Sequence, residues 1–91
     1  MSQASHAESS ETAGVASFVR SEHAPIDLFR ISPGIPGDYA LEQASTVLGC
    51  ALKLILTGVM DKDDDTVWAA YYLGEFAKAL VDDVALGMSK A

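Results

Sequence analysis

The chain has 91 residues, enough for one small domain, and 13 acidic against 6 basic residues give it a net charge of −7. Lys and Arg form no cluster, so the charge argues against nucleic acid and anionic membranes as direct partners. A single cysteine excludes an intramolecular disulfide.

Residues 1–24 are rich in Ser, Glu and Ala and hold few large apolar side chains. Such a segment buries too little surface to offset the conformational entropy that it loses on folding. The sequence therefore predicts a disordered leader over residues 1–24 and a helical-hairpin domain over residues 25–91.

The sequence contains neither a secretory signal nor a clear membrane span. The leader lacks a basic stretch followed by an apolar one, which a signal peptide requires. The longest apolar segment, residues 47–60, is interrupted by Lys53 and is shorter than the roughly 20 residues of a membrane span. We therefore expect a cytoplasmic protein that does not enter a membrane.

Residues 25–35 are predicted to form an extended arm. Pro25, Pro33 and Pro36 prevent a continuous helix, and residues that precede a proline favour extended backbone. The arm is expected to close in a turn at Pro33 and Gly34. Its apolar residues are expected to cover helices, and the sequence leaves open whether these belong to the same chain or to another.

Two amphipathic helices are predicted next, over residues 36–60 and 64–86. Proline is favoured in the first turn of a helix, which suits Pro36, and the aspartates of residues 61–65, "DKDDD", are good caps for the second helix. Gly87 is expected to end that helix. Two helices of similar length joined by a short loop form an antiparallel hairpin, so the predicted fold class is all-α.

Both helices have apolar faces about twice as wide as the roughly 100° that one neighbouring helix covers. We therefore expect a homo-oligomer, most simply a dimer whose four helices form one bundle. Eight residues are predicted at the interface: Leu28, Phe29, Leu48, Ile55, Trp68, Leu73, Phe76 and Leu80.

No motif for catalysis or metal binding is complete. Asp61, Asp63 and Asp65 match the first ligand positions of a calcium loop, but Thr66 replaces the turn glycine and Tyr72 the bidentate glutamate. The two histidines lie outside the predicted helices, without another ligand at metal-binding spacing. We expect no enzymatic activity, no catalytic residue, no metal and no cofactor.

Cys50 lies at the margin of the apolar face of the first helix and is predicted to be a small buried core residue. A reactive thiol, or one that bonds to another chain, is the alternative.

The segments "LFRISPGIPGDYALEQASTVLGCA" and "WAAYYLGEFAKALVDD" carry a resemblance that spans residues 28–83. They resemble a family of short uncharacterised proteins, found mainly in pseudomonads, with the pattern LFR-x-x-PGIP, ALEQAS and WAA-x-YL-x-E-x-AKAL. The family is a domain of unknown function, so the resemblance supports the predicted boundaries and implies no site residue.

The sequence thus predicts a small non-enzymatic interaction or regulatory protein that acts through helical self-association and a protein partner. The alternative is a carrier or sensor of a small apolar ligand in the interior of the bundle.

Overall fold

The computed structural model describes residues 10–20 and 27–89. Two short strands, β1 (Ser17–Arg20) and β2 (Asp27–Arg30), precede two long helices, α1 (Gly37–Asp61) and α2 (Asp64–Ser89). The predicted two-helix hairpin is confirmed. Both helices begin and end within one residue of the prediction, except that α2 continues three residues past residue 86.

Local signals in the sequence account for the boundaries between the helices. α1 ends because Lys62 adopts a left-handed conformation, with φ of 55°, and its N–H bonds to the carbonyl of Gly58. Asp63 caps the start of α2, because its carboxylate accepts hydrogen bonds from the backbone N–H groups of Asp65 and Thr66. The capping role predicted for residues 61–65 is therefore confirmed.

The two helices approach each other closely because small residues line their contact. Gly58 lies so near α2 that a Cβ atom there would come within 2.7 Å of the Val67 side chain. The buried small residues of the hairpin are Gly37, Ala40, Ala44, Ala51, Gly58, Ala70, Ala77 and Ala79. Such a contact covers little of each helix, so the larger apolar residues on its flanks must be covered by other elements or stay exposed.

Residues 10–16, here called the N-terminal strap, are ordered, and this corrects the prediction of a disordered leader over that range. Thr12 is buried and pairs with the backbone of Ile35, with its N–H donating to the Ile35 carbonyl at 2.9 Å. Its hydroxyl donates to the carbonyl of Ser32 at 2.5 Å and accepts from the Ile35 N–H at 2.9 Å. Residues 17–20 of the predicted leader are ordered as well, as the strand β1, whereas residues 1–9 and 21–24, which include His6 and His23, lie outside the described residues.

A two-stranded antiparallel sheet follows the strap, so the fold is mostly helical and not purely helical. β1 and β2 pair Ser17 with Arg30 and Phe18 with Phe29. The extended arm is confirmed where it is described, from residue 27 onward, and its turn lies at Pro33 and Gly34 as predicted. Residues 25 and 26 of the arm lie outside the described residues.

The core is small, and the arm contributes to it within the same chain. Ile31 is buried against α1 and α2, which assigns this residue of the arm to its own hairpin. Cys50 is exposed, so its predicted burial is wrong: its position on α1 turns away from the helix contact. The buried core cluster comprises Ile31, Ala40, Ala44, Ala77, Ala79, Leu80 and Val84.

Gly87 does not end α2, which corrects a second local prediction, because the helix continues through Ser89. A Cβ atom at Gly87 would collide with the carbonyl oxygen of Glu11 in the N-terminal strap. The glycine therefore allows the strap to lie directly on the helix backbone.

Candidate interaction surfaces

A buried carboxylate attaches the N-terminal strap to α2. Asp83 is fully buried, and its two oxygens accept backbone N–H bonds from Gly14, Val15 and Ala16 at 2.6, 2.8 and 2.7 Å. Three donors aimed at one carboxylate make a strong, charge-assisted contact. Sequence reasoning did not identify this role. The available signal was that Asp83 falls within the apolar arc of its helix and not on the polar stripe of Glu75 and Asp82.

A broad apolar surface of the hairpin remains uncovered, and we call it the open helical face. On α1 it comprises Leu48, Leu52, Ile55 and Val59. On α2 it comprises Val67, Tyr71, Gly74 and Val81. These residues lie on the side of the helix roughly opposite the strap contacts at Asp83 and Gly87. The large side chains in this set are between 38% and 66% exposed.

The open helical face has the spacing of a helix-packing seam. Leu48, Leu52, Ile55 and Val59 are separated by four, three and four residues, as are the a and d positions of a heptad repeat. Between the helices, this face contains an open groove of about 310 Å³. A side chain at Gly74 would meet nothing within 4 Å, so the groove has room for an approaching helix.

Few charges lie on this face. Lys78 lies beside Gly74, and its Nζ donates to Oδ2 of Asp82 at 2.7 Å, an exposed ion pair one turn apart on α2. Glu75 lines the edge of the groove. The remaining members of the face are aliphatic residues, Tyr71 and Gly74.

A second apolar surface lies between the sheet and the first half of α2, and we call it the aromatic groove. Its open volume is about 530 Å³ and its lining is almost entirely apolar. Three rings form its wall, with Phe18 stacked on Phe29 on one side and on Phe76 on the other, at 5.1 Å between centroids. The full lining is Phe18, Val19, Phe29, Ala69, Tyr72, Leu73 and Phe76.

Three exposed aromatic residues form a cluster on α2: Tyr72 lines this groove, Tyr71 lines the groove of the open helical face, and Trp68 contacts both. Trp68, Tyr71 and Tyr72 contact one another with ring centroids 5.7 to 6.1 Å apart. They are between 46% and 57% exposed. Trp and Tyr are among the residue types most enriched at the positions that contribute most of the binding energy in protein interfaces.

The eight residues predicted at an interface are divided among several surfaces. Leu48 and Ile55 belong to the open helical face, Phe29, Leu73 and Phe76 to the aromatic groove, and Trp68 to its border. Leu28 is exposed on the sheet, whereas Leu80 is 4% exposed and belongs to the core of its own chain.

Hydrogen bonds hold the pKa of the Asp63 carboxyl below its ordinary value of 3.8. The largest cause is the Thr66 hydroxyl, which donates to Oδ2 of Asp63 at 2.8 Å. Both carboxylate oxygens of Asp63 thus accept hydrogen bonds from the first turn of α2. Within residues 10–20 and 27–89, no group of three His, Cys, Asp or Glu side chains is placed to hold a metal ion.

α1 is the one described helix that is long and apolar enough to cross a membrane by length and composition alone. This is weak evidence, because helices of soluble proteins and signal sequences share those properties.

No curated protein and no solved structure matches the chain. The family model described as "Protein of unknown function (DUF3077)" matches residues 12–87. The match begins within the N-terminal strap and ends at Gly87, so it includes both surfaces and the Asp83 contact. The chain therefore belongs to the DUF3077 family.

Proposed function

We propose that the protein is a small, non-enzymatic interaction protein of the cytoplasm. It self-associates through the open helical face into a dimer whose four helices form one bundle, and it presents its remaining apolar surface to a protein partner. The observation that carries this proposal is the continuous, uncovered apolar face shared by α1 and α2.

The size of the open helical face suits a second copy of the chain. Its exposed side chains leave on the order of 600 Å² uncovered, close to the roughly 800 Å² that each partner buries in a standard protein interface. An exposed apolar patch of that extent is at the upper end of what monomers carry.

Charge also favours a second copy at this face. Two chains of net charge −7 repel each other over most of their surfaces. On the open helical face the Lys78–Asp82 pair is internally neutral, and Glu75 lies at the edge of the groove. Two copies related by a two-fold axis can therefore meet here with few acidic side chains at the contact.

Light scattering on the full chain at micromolar concentration tests the proposal. We expect twice the mass of a single 9.6 kDa chain. The variant Leu52→Lys should return the mass to one chain because it buries an unpaired charge at the seam. Met60→Lys places the same charge on an exposed residue outside the face and should leave the dimer intact.

Leu52→Lys also makes the net charge of each chain less negative, which weakens the general electrostatic repulsion between two copies. Dissociation of this variant therefore cannot be explained by its net charge. A single-chain mass for the unmodified protein, or equal masses for the two variants, would refute self-association through this face.

A second candidate function is a carrier or sensor of a small apolar ligand. The aromatic groove favours it, since about 530 Å³ of apolar-lined space lies within the range of small-molecule sites. Trp68 borders the groove and is the single tryptophan, so its fluorescence reports occupancy. Saturable binding of a neutral probe such as decanol, abolished by Ala69→Phe, would support this function.

A further inference from the structure

We propose that the aromatic groove is the docking site for a partner-protein segment that inserts an apolar side chain and places an adjacent Lys or Arg beside Asp65 and Trp68. This inference rests on the part of the proposed function in which the protein binds a protein partner. It specifies where that partner docks and which side chains the partner contributes.

The groove is shaped to receive an apolar anchor. Ala69 leaves space on α2, while the stacked rings of Phe18, Phe29 and Phe76 form a wall. A side chain inserted between them meets apolar atoms on several sides. Interfaces concentrate their binding energy in such pockets, where a central anchor is fully desolvated and polar groups surround it.

The charge at the α2 end of the groove selects the partner. Over residues 64–76, α2 carries Asp65 on this side and no Lys or Arg. Glu75 lines the groove of the open helical face instead, and Arg30 lies on the sheet side of the stacked rings. Asp65 lies one helical turn before Ala69, and therefore at the end of the groove. Its carboxylate is exposed. A cationic side chain is the complement of this edge, whereas an acidic one is repelled.

Trp68 supplies a second contact for the same cation. It lies one turn after Asp64 and one turn before Tyr72 on α2. Lys and Arg are attracted to the face of an indole ring, with the strongest attraction among the aromatic residues. An indole ring close to the Asp65 carboxylate therefore favours a basic, apolar segment over a purely apolar ligand.

The experiment uses two synthetic peptides, acetyl-GLKLKLKG-amide and acetyl-GLELELEG-amide, titrated into the full chain while Trp68 fluorescence is recorded. We expect saturable binding of the Leu–Lys peptide and none of the Leu–Glu peptide. Equal binding of both would overturn the proposal in favour of an apolar ligand site.

Two variants and a matched control separate docking from general attraction to an acidic protein. Asp65→Asn should weaken the Leu–Lys peptide about fivefold, the size expected for an exposed ion pair. Asp38→Asn removes the same charge from the first turn of α1 and should change nothing. Ala69→Phe fills the groove at an exposed position and should weaken binding about tenfold or more.

Equal effects of Asp65→Asn and Asp38→Asn, or unchanged binding by a folded Ala69→Phe variant, would refute the docking site. The oligomeric state is measured separately by light scattering. If the protein is a dimer but does not bind the Leu–Lys peptide, the docking site is refuted and self-association stands. If the protein binds the peptide but has the mass of a single chain, self-association is refuted and the docking site stands.

Discussion

A hydrogen bond of 2.6 Å joins the carboxylate of Asp83 to the backbone N–H of Gly14, 69 positions away in the sequence. Gly14 has φ of +80°, a conformation that suits glycine, and a Cβ atom there would come within 2.7 Å of Pro33. The strap thus approaches both the Pro33–Gly34 turn of the arm and the end of α2. This contact makes the polar N-terminal segment part of the folded domain.

Replacing Asp83 with Asn should lower the free energy of unfolding by about 2–3 kcal/mol. The amide can no longer accept from all three N–H groups, and its own N–H₂ faces backbone donors, so buried donors lose partners. Urea unfolding followed by circular dichroism measures the change. Asp82→Asn, at the neighbouring exposed position, should cost no more than about 0.5 kcal/mol. Similar losses for the two variants would show that Asp83 does not attach the strap.

Replacing Gly87 with Ala should destabilise the protein by about 1–3 kcal/mol, since the new methyl group displaces the strap from the helix. Gly49→Ala is the control: a side chain there meets nothing within 4 Å. That change should stabilise α1 by up to about 1 kcal/mol through helix propensity. If thermal unfolding shows that Gly87→Ala is stabilising as well, the close approach of the strap is wrong.

The helical hairpin was predictable from sequence because its signals are local. These signals are the spacing of apolar residues, Pro36 and the aspartates after residue 60, and each acts over a few positions of the chain. Together they predicted the start of both helices and the end of α1 to within one residue. The strap was not predictable in this way. Its residues are polar and small, and their order depends on Asp83, a tertiary contact that helical periodicity does not detect.

The same limit applies to the surfaces. The excess width of the apolar faces was visible in the sequence and corresponds to the exposed residues of α1 and α2. The sequence did not show that this apolar surface is divided into two. The division arises because the strap and the sheet cover only the side of α2 that carries Phe76 and Leu80, and this is a tertiary contact. Helical spacing alone grouped Leu80 with Ile55, whereas the structure buries the first and exposes the second.

The capping carboxylate of Asp63 predicts a pH dependence with a defined sign. Its folded pKa lies below the ordinary 3.8. Its contribution is therefore present above pH 3.8 and is lost as the pH falls through the folded pKa. Carboxyl carbon NMR should show Thr66→Val raising the Asp63 pKa towards 3.8, because the largest stabilising donor is removed.

Thr46→Val is the control for that titration. The Thr46 hydroxyl donates to the backbone carbonyl of Glu42 and contacts no carboxylate, so its loss should leave the Asp63 pKa unchanged. An Asp63 pKa that does not move in Thr66→Val would contradict the assigned cause.

The two open glycines provide a matched test of the open helical face. A side chain at Gly49 or at Gly74 meets nothing within 4 Å in the single chain, but only Gly74 lies on that face. Close approach of helices needs small residues at the contact, so Gly74→Ile should separate two copies and weaken the dimer. Gly49→Ile should leave the dimer unchanged, because its position lies on the polar side of α1. The measurement is sedimentation equilibrium over a range of concentrations. If the two variants dissociate at the same concentration, a different surface must join the copies.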